Sequence, residues 1–206
     1  MVYKSQYRQD AFLDTNVFRG KRNGVFIDIG AYDGVDISNT YHFETALGWT
    51  GLCVEPSPQT FELLKKNRKC KLENCAVSDT EGNLDFVNIT GWASSASGFN
   101  DPQGKVLKTA IESVAAYGGT YDIIQMPTFR LDTLLNKHKI RFADYCSIDV
   151  EGFEINVVRS IDWNKYYIQY LTVENNVSIG QVVEHLKQFK YSVLQEGPDL
   201  IFKLNR

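Results

Sequence analysis

Four acidic residues stand at the ends of apolar runs in this sequence, namely Asp28, Glu55, Asp149 and Glu174. A carboxylate can accept hydrogen bonds from hydroxyl groups, take up a proton or bind a cation. Ligands of open α/β sheets bind outside the carboxyl ends of the strands. If each apolar run is a strand of one sheet, the four acids predict a single shared site at that edge.

The stretch VFIDIGAYDG, residues 25–34, combines an apolar run with an acid and two glycines. This pattern is typical of a buried parallel strand that ends in a turn which a ligand can approach closely. Residues 35–47 are compatible with a helix whose N-terminus would face that ligand. The spacing D-x-G-x-x-x-G differs from the dinucleotide fingerprint G-x-G-x-x-G, and no G-K-[ST] follows. A sulfonium nucleoside therefore fits better than a pyrophosphate, and a tight turn without a ligand is the alternative.

Glu55 follows Gly34 by 21 residues and ends the second apolar run. An acid about 20 residues beyond the glycine turn is placed to accept hydrogen bonds from ribose hydroxyls. Alternatively, Glu55 merely caps the helix that begins after Pro56. Residues 75–79, at the end of the third predicted strand, could line an adenine pocket, although Asp79 is equally suited to a turn.

The densest acidic group is Asp149, Glu151 and Glu154. Asp149 would end a strand and Glu151 would open the next loop, so both carboxylates are predicted to face the crevice as the catalytic groups. Glu154 would lie in the first turn of the next helix, where the helix dipole favours an anion.

Glu174 and Asn175 end the neighbouring predicted strand. With Asp149 they form an oxygen-only set that suits Mg²⁺ or another divalent cation. Such an ion could hold a substrate hydroxyl and lower its pKa, as O-alkylation requires. The alternative is that these acids bind backbone donors and hold no metal.

The elements that must position these residues alternate between strand and helix. Apolar strands alternating with helices predict an α/β fold, with a mostly parallel sheet covered by helices on both faces. The predicted strands are 25–29, 51–55, 72–77, 84–89, 143–150, 170–174, 191–194 and 200–204, and the helices between them include 36–48, 58–68, 153–160 and 178–189. The last two strands are joined by a hairpin-type turn at residues 196–199.

Two segments do not fit this alternation. Residues 1–23 are predicted to be a lead-in with one short helix, packed on the sheet or over its ligand. From Thr90 the pattern becomes irregular, and residues 90–126 are predicted to be an insertion that covers the active site. Within it, the serine-rich stretch 91–98 supplies the candidate substrate contacts Trp92, Ser94 and Ser95.

The length of 206 residues predicts a single domain spanning residues 1–206. A net charge of −3 and the lack of a long basic run argue against a nucleic-acid partner and favour a small or neutral one. No apolar stretch is long enough to cross a membrane, and no signal peptide is recognised. Four cysteines without a C-x-x-C pair favour a reducing compartment, so a cytoplasmic location is predicted.

The chain resembles the FkbM-type methyltransferases, a branch of the class I S-adenosylmethionine-dependent family. Each shared motif is weak alone, but together they cover most of the chain in the right order. They are SQYRQD (5–10), FIDIGAYDG (26–34), SNT (38–40), GWTG (48–51), EPSP (55–58), NR (67–68), AVSD (76–79), LDTL (131–134) and IDVEGFE (148–154).

This resemblance implies a seven-stranded Rossmann-like sheet that ends in an antiparallel hairpin. It also implies methyl transfer from S-adenosylmethionine, usually to a hydroxyl of a sugar or a polyketide-type product. The cofactor-binding positions that follow are Asp28, Gly30, Ala31, Tyr32, Asp33, Glu55, Pro56, Ala76, Val77 and Ser78, and residues 149–154 would face the acceptor. One departure is Tyr32, where many class I enzymes have a glycine.

The function predicted from the sequence is therefore methylation of a hydroxyl group on a sugar, a glycan or a related small molecule, with or without a divalent metal. The chain could also be the methyltransferase part of a longer glycan-modifying protein. An NAD-dependent sugar oxidoreductase is the rival enzyme, weakened by the missing G-x-G-x-x-G and by the lack of a Y-x-x-x-K pair. A nucleoside-binding module with purely structural acids is the non-enzymatic alternative.

Overall fold

The computed structural model describes residues 3–91, 94–99, 105–176 and 178–205. Across these residues the strands are β1 (Val25–Ile29), β2 (Thr50–Val54), β3 (Lys71–Glu73), β4 (Ala76–Val77), β5 (Gly82–Ile89), β6 (Gly98–Phe99), β7 (Tyr121–Phe129), β8 (Phe142–Ile148), β9 (Tyr167–Glu174), β10 (Tyr191–Gln195) and β11 (Asp199–Leu204). The α-helices are α1 (Gln9–Phe12), α2 (Tyr41–Leu47), α3 (Pro58–Asn67), α4 (Lys105–Tyr117), α5 (Leu131–Lys137), α6 (Glu154–Arg159) and α7 (Ile179–Lys187). None of these helices has the length and apolar character needed to cross a membrane.

Seven strands form the main sheet in the order β10-β11-β9-β8-β1-β2-β3. The central pairs are parallel, whereas β11 runs antiparallel to both β9 and β10. The predicted fold class, a mostly parallel Rossmann-like sheet with an antiparallel C-terminal hairpin, is confirmed.

Both faces of β1 are buried, which explains its almost continuous apolar sequence. Ile27 and Ile29 face a large apolar cluster that includes residues of α5, α6 and α7. Phe26 faces a second, largely aromatic cluster with Phe43 and Trp49. The rings of Phe43 and Trp49 lie 4.7 Å apart between their centroids. The acid in β1, Asp28, shares the face of Phe26 because side chains alternate along a strand.

A second sheet has the strand order β4-β7-β5-β6. The single strand predicted at 72–77 is wrong, because β3 ends at Glu73 and β4 pairs with β7 in the second sheet. The break follows Asn74, whose side-chain amide donates to the backbone carbonyls of Glu55 and Pro56 and so turns the chain away from β2. The strand predicted at 84–89 is confirmed and begins two residues earlier.

Two helix predictions also differ from the structure. The stretch 90–119, predicted to be irregular, contains the 13-residue helix α4, whose Val106, Leu107, Ala110 and Val114 pack on Val87 and Ile89. The helix predicted to begin at residue 36 begins only at Tyr41. Ile37 has a left-handed backbone with φ 52°, which a continuous right-handed helix cannot contain.

A buried network around Arg68 holds the loop between β1 and α2. The Arg68 guanidinium lies 2.5 Å from Glu44 Oε2, and it also donates to the Gly34 carbonyl at 3.1 Å and to Thr40 Oγ1 at 2.9 Å. Thr40 Oγ1 in turn donates to Asp28 Oδ2 at 2.5 Å. Burial raises the pKa of Asp28, and the Arg68 charge and the Thr40 hydroxyl oppose that shift. Asp28 therefore belongs to the framework of the loop.

The N-terminal segment is tied to the same loop. Ser5 pairs with Ile37 in an isolated parallel bridge. The buried Asp10 carboxylate accepts hydrogen bonds from the backbone N–H groups of Lys4 and Ser5 at 2.6 and 3.2 Å. The short helix predicted within residues 1–23 is present as α1 continued by a π-helical stretch, Leu13–Phe18.

The central strands converge at Gly30. The N–H groups of Gly30 and Ala31 both donate to the Val54 carbonyl of β2, at 3.0 and 3.1 Å. The N–H of Asp149, after β8, donates to the Ile29 carbonyl at 3.0 Å. Gly30 has φ 83°, and a Cβ atom there would lie only 1.8 Å from the Asp149 carbonyl oxygen. Glycine is required because two strand ends meet backbone to backbone.

We expect Gly30→Ala to destabilise the fold more than Gly20→Ala does. Gly20 has a similar φ of 74° but open space around the position of a Cβ. The left-handed backbone costs an alanine about 1–2 kcal/mol at either site. At Gly30 the displaced Asp149 carbonyl adds about 1–3 kcal/mol to the loss of unfolding free energy. Urea unfolding measures both variants, and equal losses would contradict the close approach.

Candidate active site

A cavity of about 420 Å³ lies at the carboxyl ends of the central strands. Its walls come from the turn after β1, the segment after β2, the loops after β8 and β9, the turn before β11, and the second sheet. Predicted site residues that line it are Gly30, Tyr32, Glu55, Pro56, Ala76, Val77, Ser94, Ser95, Asp149, Glu151, Glu174 and Asn175. Of the four acids predicted at the sheet edge, Glu55, Asp149 and Glu174 are brought to one cavity and Asp28 is not.

Glu55 is a buried carboxylate that faces this cavity. Its Oε1 accepts the Ser57 N–H at 2.8 Å and the Thr60 hydroxyl at 2.9 Å, and its Oε2 accepts the Tyr32 N–H at 2.9 Å. Burial raises its pKa to about 7, although these three donors oppose the shift. The contacts to Ser57 and Thr60 tie Glu55 to the start of α3, but the N-cap residue of that helix is Ser57 and, among the described residues, no side chain caps it. Oε2, with one donor, retains capacity for a ligand hydroxyl.

Four predicted cofactor-binding residues do not line the cavity. The Asp28 carboxylate is engaged by Thr40, as described above, and the Ser78 N–H donates to the Phe129 carbonyl at 3.0 Å. Asp33 Oδ1 accepts the N–H groups of Val35 and Asp36, both at 2.8 Å, and so shapes the turn. Ala31, the fourth, packs in the cluster of Phe26. These four residues support the cavity from behind its surface.

On the opposite wall stand Asp149, Glu151, Glu174 and Asp199. Burial and the neighbouring carboxylates Glu174 and Glu151 raise the pKa of Asp149 well above its usual range. Partial burial and the charge of Glu174 raise the pKa of Glu151 to about 7, with Glu151 itself still exposed at the mouth. The pKa of Glu174 is raised by burial, against a hydrogen bond from Asn176. Of these carboxyl groups, Glu151 can gain and lose a proton near neutral pH.

Glu154 shapes the loop that carries Glu151. Its Oε1 accepts the N–H groups of Val150 and Gly152 at 3.3 and 3.0 Å, and its Oε2 accepts the Asn176 amide at 2.5 Å. Glu154 is fully buried. Glu151 adopts a left-handed backbone, φ 54°, a conformation that costs a non-glycine residue free energy and often marks functional sites.

The predicted divalent metal receives no support. Within residues 3–91, 94–99, 105–176 and 178–205, no three His, Cys, Asp or Glu side chains converge as a metal site requires. The Asn175 side-chain amide instead donates to the Gly197 carbonyl at 2.9 Å, and its backbone N–H donates to the Pro198 carbonyl at 2.8 Å. Asn175 therefore fastens β9 to the turn before β11.

The serine-rich stretch closes one side of the cavity. The Tyr32 hydroxyl and Ser94 Oγ lie 3.1 Å apart and bridge the glycine turn to this stretch. Trp92, the third predicted substrate contact, lies outside the described residues. A more open cavity of about 450 Å³ shares Tyr32, Ile37 and Ser95 with the first and leads to the surface.

Several cavity residues were missed by the sequence reasoning. Phe86 and Phe99, from the second sheet, form an edge-to-face pair with centroids 6.0 Å apart. Asp199, the first residue of β11, accepts a hydrogen bond from the Gln9 amide at 2.5 Å, and Gln6 and Tyr7 reach the cavity from the N-terminal segment. Gln6 and Tyr7 lie in the SQYRQD motif and could have been identified from it. The other residues lie in no motif and reach the cavity through long-range packing.

Solved structures share this fold at low sequence identity. A methyltransferase FkbM from Methylobacillus flagellatus KT superposes with a TM-score of 0.53 at 9% identity, over 88% of this chain and 43% of that one. The METTL16 MTase domain superposes with a TM-score of 0.53 at 12% identity, over 100% of this chain and 70% of that one. Precorrin-6y C5,15-methyltransferase from Geobacter metallireducens GS-15 superposes with a TM-score of 0.50 at 12% identity, over 99% of this chain and 90% of that one. These likenesses show the class I methyltransferase fold.

The sequence itself matches the Methyltransferase FkbM domain over residues 28–193. Among curated proteins no match was found. The chain spans less than half the length of the Methylobacillus flagellatus protein. The matched region includes Gly30, Glu55, Asp149 and Glu151, and thus most of the residues that line the cavity. The chain belongs to the FkbM methyltransferase family.

Proposed function

We propose that this chain is an S-adenosylmethionine-dependent O-methyltransferase that acts on a hydroxyl of a sugar, a glycan or a related small molecule. One observation carries the proposal. A single cavity holds Glu55, whose Oε2 has capacity for a ribose hydroxyl, and, on the opposite wall, Glu151, whose pKa of about 7 suits proton transfer near neutral pH. The family assignment specifies neither the atom that is methylated nor the class of acceptor, so both are part of this proposal.

The residues present fit S-adenosylmethionine. Glu55 offers a carboxylate to the ribose, while the Gly30 turn and Tyr32 would contain the methionine part. An apolar end formed by Ala76, Val77 and Phe99 suits the flat adenine ring. Bound there, the cofactor supplies an electrophilic methyl group on a positively charged sulfur.

The acidic wall has two tasks in this mechanism. Burial and the neighbouring carboxylates raise the pKa of Asp149 well above its usual range, and the protonated carboxyl can donate a hydrogen bond to the acceptor oxygen. Glu151 would accept the hydroxyl proton of the acceptor as the acceptor oxygen takes the methyl group, the sulfur–carbon bond breaks and S-adenosylhomocysteine leaves. Alignment of the two reactants in one cavity provides much of the acceleration. No step requires a metal, so turnover should persist after chelation.

The acceptor would reach the reacting centre through the open cavity beside Tyr32, Ile37 and Ser95. The main cavity into which it opens has a polar lining that includes serine hydroxyls, which suits a polyol such as a sugar. Ser94 and Ser95, with Trp92, remain the predicted substrate contacts. Incubation of a glycan and sugar panel with S-adenosylmethionine, followed by mass spectrometry, identifies the acceptor as a gain of one methyl group.

Glu55 should control cofactor affinity. We expect Glu55→Ala to weaken S-adenosylhomocysteine binding at pH 8 about tenfold, as loss of a hydrogen bond to a charged group implies. Wild-type affinity should rise as the pH passes about 7, because the carboxylate is the better acceptor of the ribose hydroxyls. Glu55→Gln should flatten that rise. The ligand lacks the sulfonium charge, so isothermal titration reports mainly the ribose contact.

Glu62→Gln, at an exposed position of α3, is the matched control and should leave binding unchanged. If neither S-adenosylhomocysteine nor S-adenosylmethionine binds at millimolar concentration, the proposed function is wrong. If the protein binds S-adenosylhomocysteine equally well with and without Glu55, only the assignment of Glu55 to the ribose is wrong.

Glu151 should control the chemical step. At saturating cofactor we expect kcat to rise with pH through about 7, because Glu151 must be deprotonated to accept the proton. Glu151→Gln should lower kcat about 10²–10⁴-fold and abolish that rise, since general-base catalysis contributes on this scale. Initial rates with the acceptor found above provide the measurement.

Glu184→Gln, at an exposed position of α7, is the control and should leave the pH dependence of kcat unchanged. Retention of the wild-type pH profile in Glu151→Gln would show that another group is the base.

A further inference from the structure

A groove of about 420 Å³ lies at the opposite end of the main sheet, beneath the first residues of β1, β2 and β8. Its lining includes four cationic side chains and, among the residues that the structure describes, no acidic one. Lys69 and Lys71 stand on one wall, before and within β3, and Lys139 and Arg141 stand on the other, in the segment before β8. This is unexpected in a chain of net charge −3.

Among the residues that the structure describes, no carboxylate lies within 4.0 Å of the charged group of Lys69, Lys71, Lys139 or Arg141, so these four cations form no ion pair there. The Lys71 ammonium donates to the His138 carbonyl at 2.6 Å, which orients it and leaves two N–H donors. Arg141 lies over the Tyr166 ring at 5.1 Å from the centroid. Two of the cations are thus held in place by neutral partners.

Lys139 occupies a position that usually holds glycine. It follows α5 with φ 57°, its N–H bonds to the Asn136 carbonyl, and the N–H of Ile140 bonds to the Leu135 carbonyl. This is a Schellman helix ending, whose left-handed residue is most often glycine. A lysine there strains the backbone and places a cation in the groove. Sheet-edge protection could explain Lys71 on the edge strand β3, but it does not explain Lys139 and Arg141, which precede the central strand β8.

We propose that this groove binds a diphosphate group of a small molecule. Arginine and lysine are the side chains that recognise phosphate oxygens, through bidentate and charge-assisted hydrogen bonds. One phosphate group carries about two negative charges at neutral pH, so two groups come closer to matching four cations on facing walls. The site is separate from the acidic cavity and does not rest on the proposed function.

Isothermal titration with inorganic pyrophosphate in metal-free, low-salt buffer tests the site. Saturable binding by the wild-type protein is expected, with an affinity that falls as salt is added. Lys139→Gly and Arg141→Gln should each weaken it about tenfold. The melting temperature of Lys139→Gly should stay equal to or above that of the wild type, because glycine relieves the left-handed backbone.

Lys190→Gly is the matched control. Lys190 has the same left-handed backbone, φ 66°, beyond α7 and outside the groove. This variant should keep its melting temperature and its full affinity for pyrophosphate. Absence of saturable binding to the wild type would overturn the proposal. Binding that Lys139→Gly and Arg141→Gln leave unchanged would overturn it as well, since the ligand would then sit elsewhere.

Discussion

The backbone contact between Gly30 and Asp149 is the constraint on which the candidate active site depends. It places the turn after β1 against the loop after β8, while the Val54 carbonyl draws the same turn towards Glu55. The two walls of the cavity are thereby set by main-chain contacts between three adjacent strands. Gly30 is required because the Asp149 carbonyl, at the end of the neighbouring strand β8, lies against it. The space that glycine leaves for a ligand is a further consequence.

The acids around this contact divide according to the donors they meet. Asp28 and Glu154 are enclosed by donors, from Thr40 and Arg68 in one case and from two backbone N–H groups and Asn176 in the other. Such carboxylates hold loops in place. Glu151 faces mainly other carboxylates and solvent, so its proton is easily gained and lost near neutral pH. Structural and chemical roles thus follow from hydrogen bonding rather than from residue type.

The local pattern of the sequence was enough to predict the main sheet and three acids of the cavity. Glu55, Asp149 and Glu174 follow or end buried apolar runs, and strand ends of a parallel sheet must meet at one edge. Asp28 has the same local pattern, yet it lies within β1 and alternation turns it towards Arg68, which is 40 residues away in sequence. Contacts of that separation leave no local periodicity to detect.

The same limit explains the other differences. The division of residues 72–77 between two sheets depends on pairing with β7, about 50 residues later. Phe99 and Asp199 enter the cavity through the second sheet and the start of β11, neither of which is adjacent in sequence to a motif. By contrast, α4 did have a helical apolar spacing, at Val106, Ala110 and Val114, and could have been predicted.

A crystal structure with S-adenosylhomocysteine tests the central claim most directly, namely that the cavity at the carboxyl ends of the strands is the cofactor site. The account predicts ribose hydroxyls within hydrogen-bonding distance of Glu55 Oε2, the adenine beside Ala76 and Val77, and the sulfur facing the wall of Asp149 and Glu151. A ligand bound elsewhere, or one in this cavity that makes no contact with Glu55, would contradict it.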